Sequence, residues 1–259
     1  MLLRLLLLFI LIAPLSIQAK SNIDIKTEVG IFLPELKGTI KNTKGSSDFQ
    51  EDYKYSTSQA SSFSLDINFH KTYIPNFYIS YLNLSTNMDS TLNKSVTVAD
   101  ADFNSSVSTY IDYSIINAIA YKDFVKKGSV KKIFGYNFYT GDLELDLGLN
   151  MKLINWSFKI QDKVDLTKQP SWIDAGLLVP TPYIGMKYYF YNIILYSNMS
   201  ALSFGDAKLF SYHTGIDYRI IKTIYFSSSY YYESFEAIEK NDTIKFITAG
   251  YKFSFIYKF

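Results

Sequence analysis

Hydrophobic and polar side chains alternate with a period of two residues through most of the chain after residue 20. The clearest run closes the sequence, where one face carries Ile247, Ala249, Tyr251, Phe253, Phe255, Tyr257 and Phe259. The opposite face is mostly polar and includes Lys252 and Lys258. Successive side chains of a strand point to opposite faces, so this run predicts a strand with one aromatic face. Such a face suits contact with lipid, because aromatic rings are favoured at membrane interfaces.

The same alternation predicts ten strands, near residues 23–33, 62–70, 76–87, 106–119, 141–160, 181–191, 193–204, 208–220, 222–234 and 243–259. Long polar connections fall at 34–61, 88–105, 161–180 and 235–242, and short turns fall near 71–75, 191–192 and 220–221. Long loops that alternate with tight turns are typical of membrane barrels. The predicted fold class is therefore all-β: a transmembrane antiparallel up-and-down β-barrel of about ten strands, within a range of eight to twelve, with both termini periplasmic.

Three features depart from this regular pattern. The connection 205–207 is too short for an outer loop, and the connection 120–140 is too long for a turn. The long connection carries Lys126, Lys127, Lys131 and Lys132 around Gly128, which indicates a solvated insertion or a contact with an anionic surface. The apolar parity of segment 141–160 changes after Leu153, which predicts a β-bulge near Trp156.

Periodicity alone does not distinguish a membrane barrel from a soluble sandwich or lipocalin-like barrel with its apolar face inside. Aromatic residues make up 17% of the chain, and it ends on phenylalanine, which favours the membrane barrel. The absence of cysteine excludes disulfides, thiolate catalysis, zinc–thiolate sites and lipoprotein acylation. A formal net charge of +2 gives no electrostatic case for a nucleic-acid partner.

The first residues form a leader. Arg4 precedes an unbroken apolar run, Pro14 follows it, and Ala19 is a suitable last residue before cleavage. Residues 1–19 are therefore predicted to be a secretory signal peptide, with an uncleaved anchor helix as the alternative, and residues 20–259 the barrel domain. The predicted location is the outer membrane of a Gram-negative bacterium.

Four stretches resemble a family of small Gram-negative outer-membrane β-barrel proteins of unassigned function. They are HKTYIPNFYISY (70–81), DLELDLGLNMK (142–152), VPTPYIGMKY (179–188) and the closing AGYKFSFIYKF. The insertion near 120–140 departs from the shorter turn of that family. The resemblance implies a barrel in the outer membrane and assigns no catalytic residue.

The inward faces of the predicted strands carry a candidate lumenal charge network: Asp142, Glu144, Asp146, Lys187, His213, Asp217, Arg219 and Lys252. The acidic row Asp142, Glu144 and Asp146 suits a cation path or a calcium site. Pairing with the lumenal cations, which would plug the barrel, is the simpler interpretation, because a narrow barrel has little free space and buried charges need partners.

His213 is the candidate for chemistry, because it shares the inward face with Asp217 and with the hydroxyl of Ser211. Its surroundings match neither an outer-membrane phospholipase or lipid A deacylase nor an omptin-like protease. His70 lies on a distant segment, so the two histidines predict no metal site. No catalytic residue, metal or cofactor is assigned. An apolar group in the predicted loop 161–180 is a candidate lumen cap, interface contact or recognition patch: Trp172, Ile173, Leu177 and Leu178.

These features predict a non-enzymatic integral outer-membrane protein with a structural or surface-interaction role through its outer loops. The alternatives are a narrow pore for small solutes or ions, and an envelope-lipid or peptide hydrolase that uses His213. Predicted partners are outer-membrane lipid and the barrel-assembly machinery, which would recognise the C-terminal residues Tyr251, Phe253, Phe255, Tyr257 and Phe259. Nucleic acid is not expected, and the oligomeric state is left open.

Overall fold

The computed structural model describes residues 23–42, 45–55, 59–69, 73–99, 101–133, 136–204, 207–239 and 242–259. The predicted signal peptide and His70 lie outside these ranges. Within them, no helix is long and apolar enough to cross a membrane.

The regular elements of the described chain are strands. In chain order they are β1 (Ile23–Asn42), β2 (Gly45–Asp48), β3 (Ala60–Phe69), β4 (Asn76–Thr91), β5 (Val96–Val98), β6 (Ala101–Phe103), β7 (Ser106–Lys126), β8 (Val130–Ile133), β9 (Tyr136–Tyr139), β10 (Asp142–Asp162), β11 (Ser171–Phe190), β12 (Ile193–Phe204), β13 (Ala207–Arg219), β14 (Ile224–Glu239) and β15 (Asp242–Lys258). Ten of them form the wall in the order β1-β3-β4-β7-β10-β11-β12-β13-β14-β15.

The sheet closes on itself. Each wall strand pairs antiparallel with the next, and β15 pairs with β1 from Lys26↔Lys258 to Lys41↔Thr243. Closure pairs every wall strand on both sides near the termini end, while β4 beyond Asn83 and β11 before Tyr183 each pair on one side only. The predicted ten-stranded antiparallel barrel is confirmed, as are the turns at 191–192 and 220–221. We call the end that carries Ile23 and Phe259 the termini end, and the opposite end the loop end.

Strand β10 shows how the wall changes character along its length. From Leu143 to Met151 its odd-numbered side chains are apolar, face outward and are exposed, while Asp146 and Asn150 are buried inside. Beyond Leu153 the polarity reverses, because the inward positions become apolar and the outward ones polar. The pairing of β10 with β7 and with β11 is continuous through this point, so the predicted bulge is wrong.

The physical reason is that the strands are longer than a membrane is thick. A strand crosses a bilayer in roughly 9–11 residues, whereas β10 has 21. The termini-end half has the inverted pattern of a membrane barrel, with an exposed apolar belt and a polar lumen. The loop-end half has the pattern of a soluble barrel, with a polar surface and an apolar core. The wall therefore continues beyond the apolar belt as water-exposed sheet with an apolar inner face.

The predicted loop 161–180 is largely strand, since β11 begins at Ser171. Ile173 is buried in the core, while Trp172 and Leu178 face outward and are exposed. Pro180 and Pro182 both lie within β11. They are accommodated because this part of β11 pairs only with β10, and the pairing with β12 starts at Tyr183.

Both irregular connections join neighbouring wall strands. Strand β7 continues to Lys126 and is followed by the hairpin β8–β9, so the insertion at 120–140 is a hairpin at the termini end. Strand β12 ends at Phe204 and β13 begins at Ala207. The short connection 205–207 therefore joins two of the shorter wall strands.

Candidate functional site

Aromatic rings close the loop-end half of the lumen. Phe49, which follows β2, lies inside the barrel with its ring centroid 5.6 Å from that of Phe158 and 6.0 Å from that of Phe246. Phe158 belongs to β10 and Phe246 to β15, which are five strands apart in either direction around the wall. The ring of Trp156 on β10 also reaches Phe246, at 6.3 Å. Side chains from opposite walls therefore meet, and we call this cluster the aromatic seal.

Hydrogen bonds hold the segment of the seal that enters from the loop end. Asp48 accepts the backbone N–H groups of Gln50 at 2.8 Å and Glu51 at 2.9 Å, an Asx-type turn that starts the inward path. Farther along, the Tyr53 hydroxyl donates to Ser47 Oγ at 3.0 Å, and the Tyr55 hydroxyl donates to Thr109 Oγ1 of β7 at 2.9 Å. Burial raises the pKa of Tyr53 well above its ordinary value. The segment therefore places aromatic rings inside the barrel, and each of its two tyrosine hydroxyls keeps a hydrogen-bond acceptor.

A buried ion pair spans the lumen beneath the seal. Lys152 Nζ of β10 contacts Glu233 Oε2 of β14, and each side chain is 1% exposed. Glu233 also accepts hydrogen bonds from the hydroxyls of Tyr113 at 2.7 Å and Tyr231 at 2.6 Å. The lysine thus neutralises the buried carboxylate, and the two hydroxyls complete its hydrogen bonding in place of water. No local sequence pattern singles out this pair, although alternation along β14 places Glu233 on the inward face.

The other lumenal ion pairs join neighbouring strands. Lys187 Nζ lies 2.7 Å from Glu144 and 2.9 Å from Asp146. Two further pairs lie between β15 and β1 and between β1 and β3: Lys252–Glu28 at 2.7 Å and Lys26–Asp66 at 3.6 Å. Because neighbouring strands supply both partners, these side chains lie along the wall and leave the centre open.

A cavity of about 160 Å³ occupies this centre. Its lining includes the tyrosines Tyr78, Tyr121, Tyr183, Tyr189, Tyr196 and Tyr231. A wider vestibule of about 1000 Å³ lies at the termini end and shares the wall residues Lys26, Tyr189, Ile194, Asp217 and Ile256 with the cavity. The polar space is therefore open toward the termini end and ends at the Lys152–Glu233 pair and the aromatic seal.

The structure brings together part of the predicted charge network. Glu144, Asp146 and Lys187 form one cluster, and Lys252 belongs to a separate pair with Glu28. The plug differs from the expected one, because aromatic rings rather than the acidic row fill the lumen.

Three other predicted members of the network belong to neither of these ion-pair clusters. Asp142 lies at the start of β10, where its carboxylate accepts the Gly128 N–H at 2.8 Å and pairs with Lys127 at 3.1 Å. Arg219 is exposed at the rim and donates to Asn192 Oδ1 at 3.1 Å. Asp217 faces the cavity and has no ion-pair partner among the described residues.

His213 is held by hydroxyl groups. Its Nε2 lies 2.9 Å from Ser229 Oγ and 3.4 Å from the Tyr196 hydroxyl. Ser211, which shares the inward face with His213, is not its partner, because Ser211 Oγ bonds to Ser200 Oγ at 2.7 Å. No described carboxylate hydrogen-bonds to the imidazole, and the described residues contain no group of three His, Asp or Glu side chains that could hold a metal ion.

The C-terminal aromatic residues lie on the outer surface. Tyr251, Phe253 and Phe255 are exposed, and the rings of Tyr257 and Phe259 pack 4.6 Å apart. The Phe259 N–H donates to the Ile25 carbonyl at 2.9 Å, which fixes the chain end to β1. The aromatic face expected to guide assembly is therefore presented on the barrel wall.

No family model matches the chain, and no curated protein matches it. Among solved structures, the translocator domain of the autotransporter NalP from Neisseria meningitidis is similar with a TM-score of 0.41, at 12% identity over 97% of this chain and 93% of that one. The attachment invasion locus protein Ail of Yersinia pestis gives a TM-score of 0.40, at 8% identity over 92% of this chain and 99% of that one. The outer membrane protease OmpT from Escherichia coli gives 0.33, at 8% identity over 92% and 96%. All three are Gram-negative outer-membrane barrels.

Proposed function

We propose that this protein is an integral outer-membrane barrel of a Gram-negative bacterium that conducts no solute and catalyses no reaction. Its loop-end half would lie outside the cell and serve as a platform for surface interactions. The aromatic seal carries the proposal. A lumen filled by rings from opposite walls supports a rigid scaffold rather than a passage, and a packed core extending beyond the apolar belt supports a role outside the membrane.

The loop after β10 is the best-defined part of the proposed contact surface. Asp162 anchors it by accepting the N–H groups of Val164 at 2.9 Å and Asp165 at 3.0 Å. These donors, together with the Ser105 hydroxyl, hold the pKa of Asp162 below its usual range. The anchored loop presents Val164 and Leu166 to solvent, and Leu166 is 76% exposed. Apolar side chains displayed on a fixed loop suit recognition of another surface.

The outer surface of the wall indicates which partners the protein would contact at the membrane. The exposed apolar belt would contact outer-membrane lipid. The aromatic face of β15, which includes Phe253 and Phe255, would be the element recognised by the barrel-assembly machinery.

Single-cysteine labelling tests this orientation, because the chain contains no cysteine. With a membrane-impermeant maleimide on intact cells, we expect labelling of the Leu166→Cys variant. The matched Lys222→Cys variant, in the exposed turn between β13 and β14, should be labelled only after the outer membrane is permeabilised. Labelling of Lys222→Cys but not Leu166→Cys on intact cells would reverse the proposed orientation and remove the basis for an external platform.

The two alternatives have weaker support. A pore requires a water path through the aromatic seal. A hydrolase has one favourable contact, between His213 and Ser229, but Ser229 is buried and no described carboxylate orients the imidazole.

A further inference from the structure

The charges around the lumenal cavity do not balance. The charged residues that line it, together with their ion-pair partners, comprise the lysines Lys26, Lys152, Lys187 and Lys252 and the carboxylates Glu28, Asp66, Glu144, Asp146, Asp217 and Glu233. Glu144 and Asp146 share one lysine, and Asp217 has no ion-pair partner in the described chain. Within this set two carboxylates are in excess, and one remains in excess even if His213 carries a proton; Arg219, which lines the vestibule with Asp217, is not part of the set.

Hydrogen bonding shows the same imbalance. Asn150 Oδ1 and Asp217 Oδ1 are buried, belong to residues that line the cavity, and have no hydrogen-bond partner among the described residues. The Asn150 side chain is nearly inaccessible to solvent. Both atoms are acceptors, so the cavity lacks donors. Water would supply hydrogen bonds but no positive charge, and an unpaired charge is costly in proportion to its desolvation, which is partial for the half-buried Asp217.

The lining favours an organic cation over a bare metal ion. Seven tyrosines line the space, the six named above and Tyr212, and the Lys187 ammonium already lies 5.4 Å from the centroid of the Tyr121 ring. Aromatic faces attract ammonium groups. The described residues contain no group of three His, Asp or Glu side chains suited to a metal.

We propose that the cavity binds a small primary ammonium compound that enters through the termini-end vestibule and pairs with Asp217. The cavity of about 160 Å³ admits only a few heavy atoms, which limits the ligand to a simple amine or an amine-bearing headgroup. The inference rests on the closed lumen and is independent of any surface interaction at the loop end.

Ligand-observed NMR on the folded barrel in detergent micelles tests the proposal, with ethanolamine as the probe and ethylene glycol as its uncharged isostere. We expect saturation transfer to ethanolamine and none to ethylene glycol. Asp217→Asn should weaken ethanolamine binding by about tenfold or more, as expected for loss of a charged hydrogen bond. Asp174→Asn, which removes an exposed carboxylate from the outward face of β11, should leave binding unchanged.

Heat-shifted gel mobility verifies that each variant is folded, and Asp146→Asn provides a second reduction of the excess charge if Asp217→Asn does not fold. Equal signals from the two probes would identify a polar void without charge selectivity and overturn the proposal. Equal weakening by Asp174→Asn would identify a general charge effect and overturn it as well. Absence of ethanolamine binding to the parent would also overturn it, and would mean that protons or inorganic ions balance the carboxylates.

Discussion

Replacing Lys152 by Met is expected to lower the free energy of unfolding by about 3–5 kcal/mol. The substitution leaves Glu233 as an uncompensated carboxylate in a site where both side chains are 1% exposed. The hydroxyls of Tyr113 and Tyr231 would still donate to it, but neither carries a positive charge. Denaturant unfolding in detergent, followed by heat-shifted mobility, measures the loss.

The exposed pair Lys208–Glu236, at 3.0 Å on the neighbouring strands β13 and β14, provides the matched control. Lys208→Met should cost under about 1 kcal/mol, because solvent screens this pair. The double variant Lys152→Met with Glu233→Gln should recover part of the loss, since it removes both buried charges. If Lys152→Met costs no more than Lys208→Met, the cross-lumen pair does not have the structural role assigned to it.

Replacing Phe49 by Ala is expected to destabilise the barrel by about 3–5 kcal/mol. Phe49 is 0% exposed and contacts rings from three places: its own segment, β10 and β15. Loss of the ring would leave a cavity at the centre of the aromatic seal, where opposite walls limit relaxation. The midpoint of thermal unfolding and the denaturant midpoint both report the change.

Trp172→Ala is the matched control for Phe49, because this aromatic side chain lies on the outward face of the same half of the barrel and is 60% exposed. Its removal should change stability by under about 1 kcal/mol. A Phe49→Ala variant as stable as Trp172→Ala would show that the 45–55 segment does not pack inside the barrel, and the aromatic seal would lose its central ring.

Period-two alternation predicted the ten wall strands, and the alternation of long and short connections predicted their closure into an up-and-down barrel. It failed where the surroundings of a strand change along its length. In β10, the shift of apolar side chains from odd-numbered positions such as Leu149 to the even-numbered Trp156 and Phe158 resembles a bulge, yet the backbone pairing is continuous. The alternation shows which face of a strand is apolar. It does not show where the strand leaves the membrane, which is the reason the apolar face changes.

The candidate site was predictable only in part. The alternation placed Glu144, Asp146 and Lys187 on inward faces, where neighbouring strands bring them together. The pairing of Lys152 with Glu233 joins strands that are four positions apart around the wall, so no local pattern reveals it. The entry of Phe49 into the lumen was also hidden, because its segment lay within the predicted polar connection 34–61.

The closed lumen is tested most directly by single-channel recording of the folded barrel in a planar bilayer, with heat-shifted mobility as the check on folding and a known porin as the check on the bilayer. We predict a silent bilayer, because rings from β10 and β15 meet through Phe49 across the lumen. Discrete and reproducible conductance steps from folded protein would contradict the aromatic seal and make the Glu144–Asp146 row a candidate for ion selectivity.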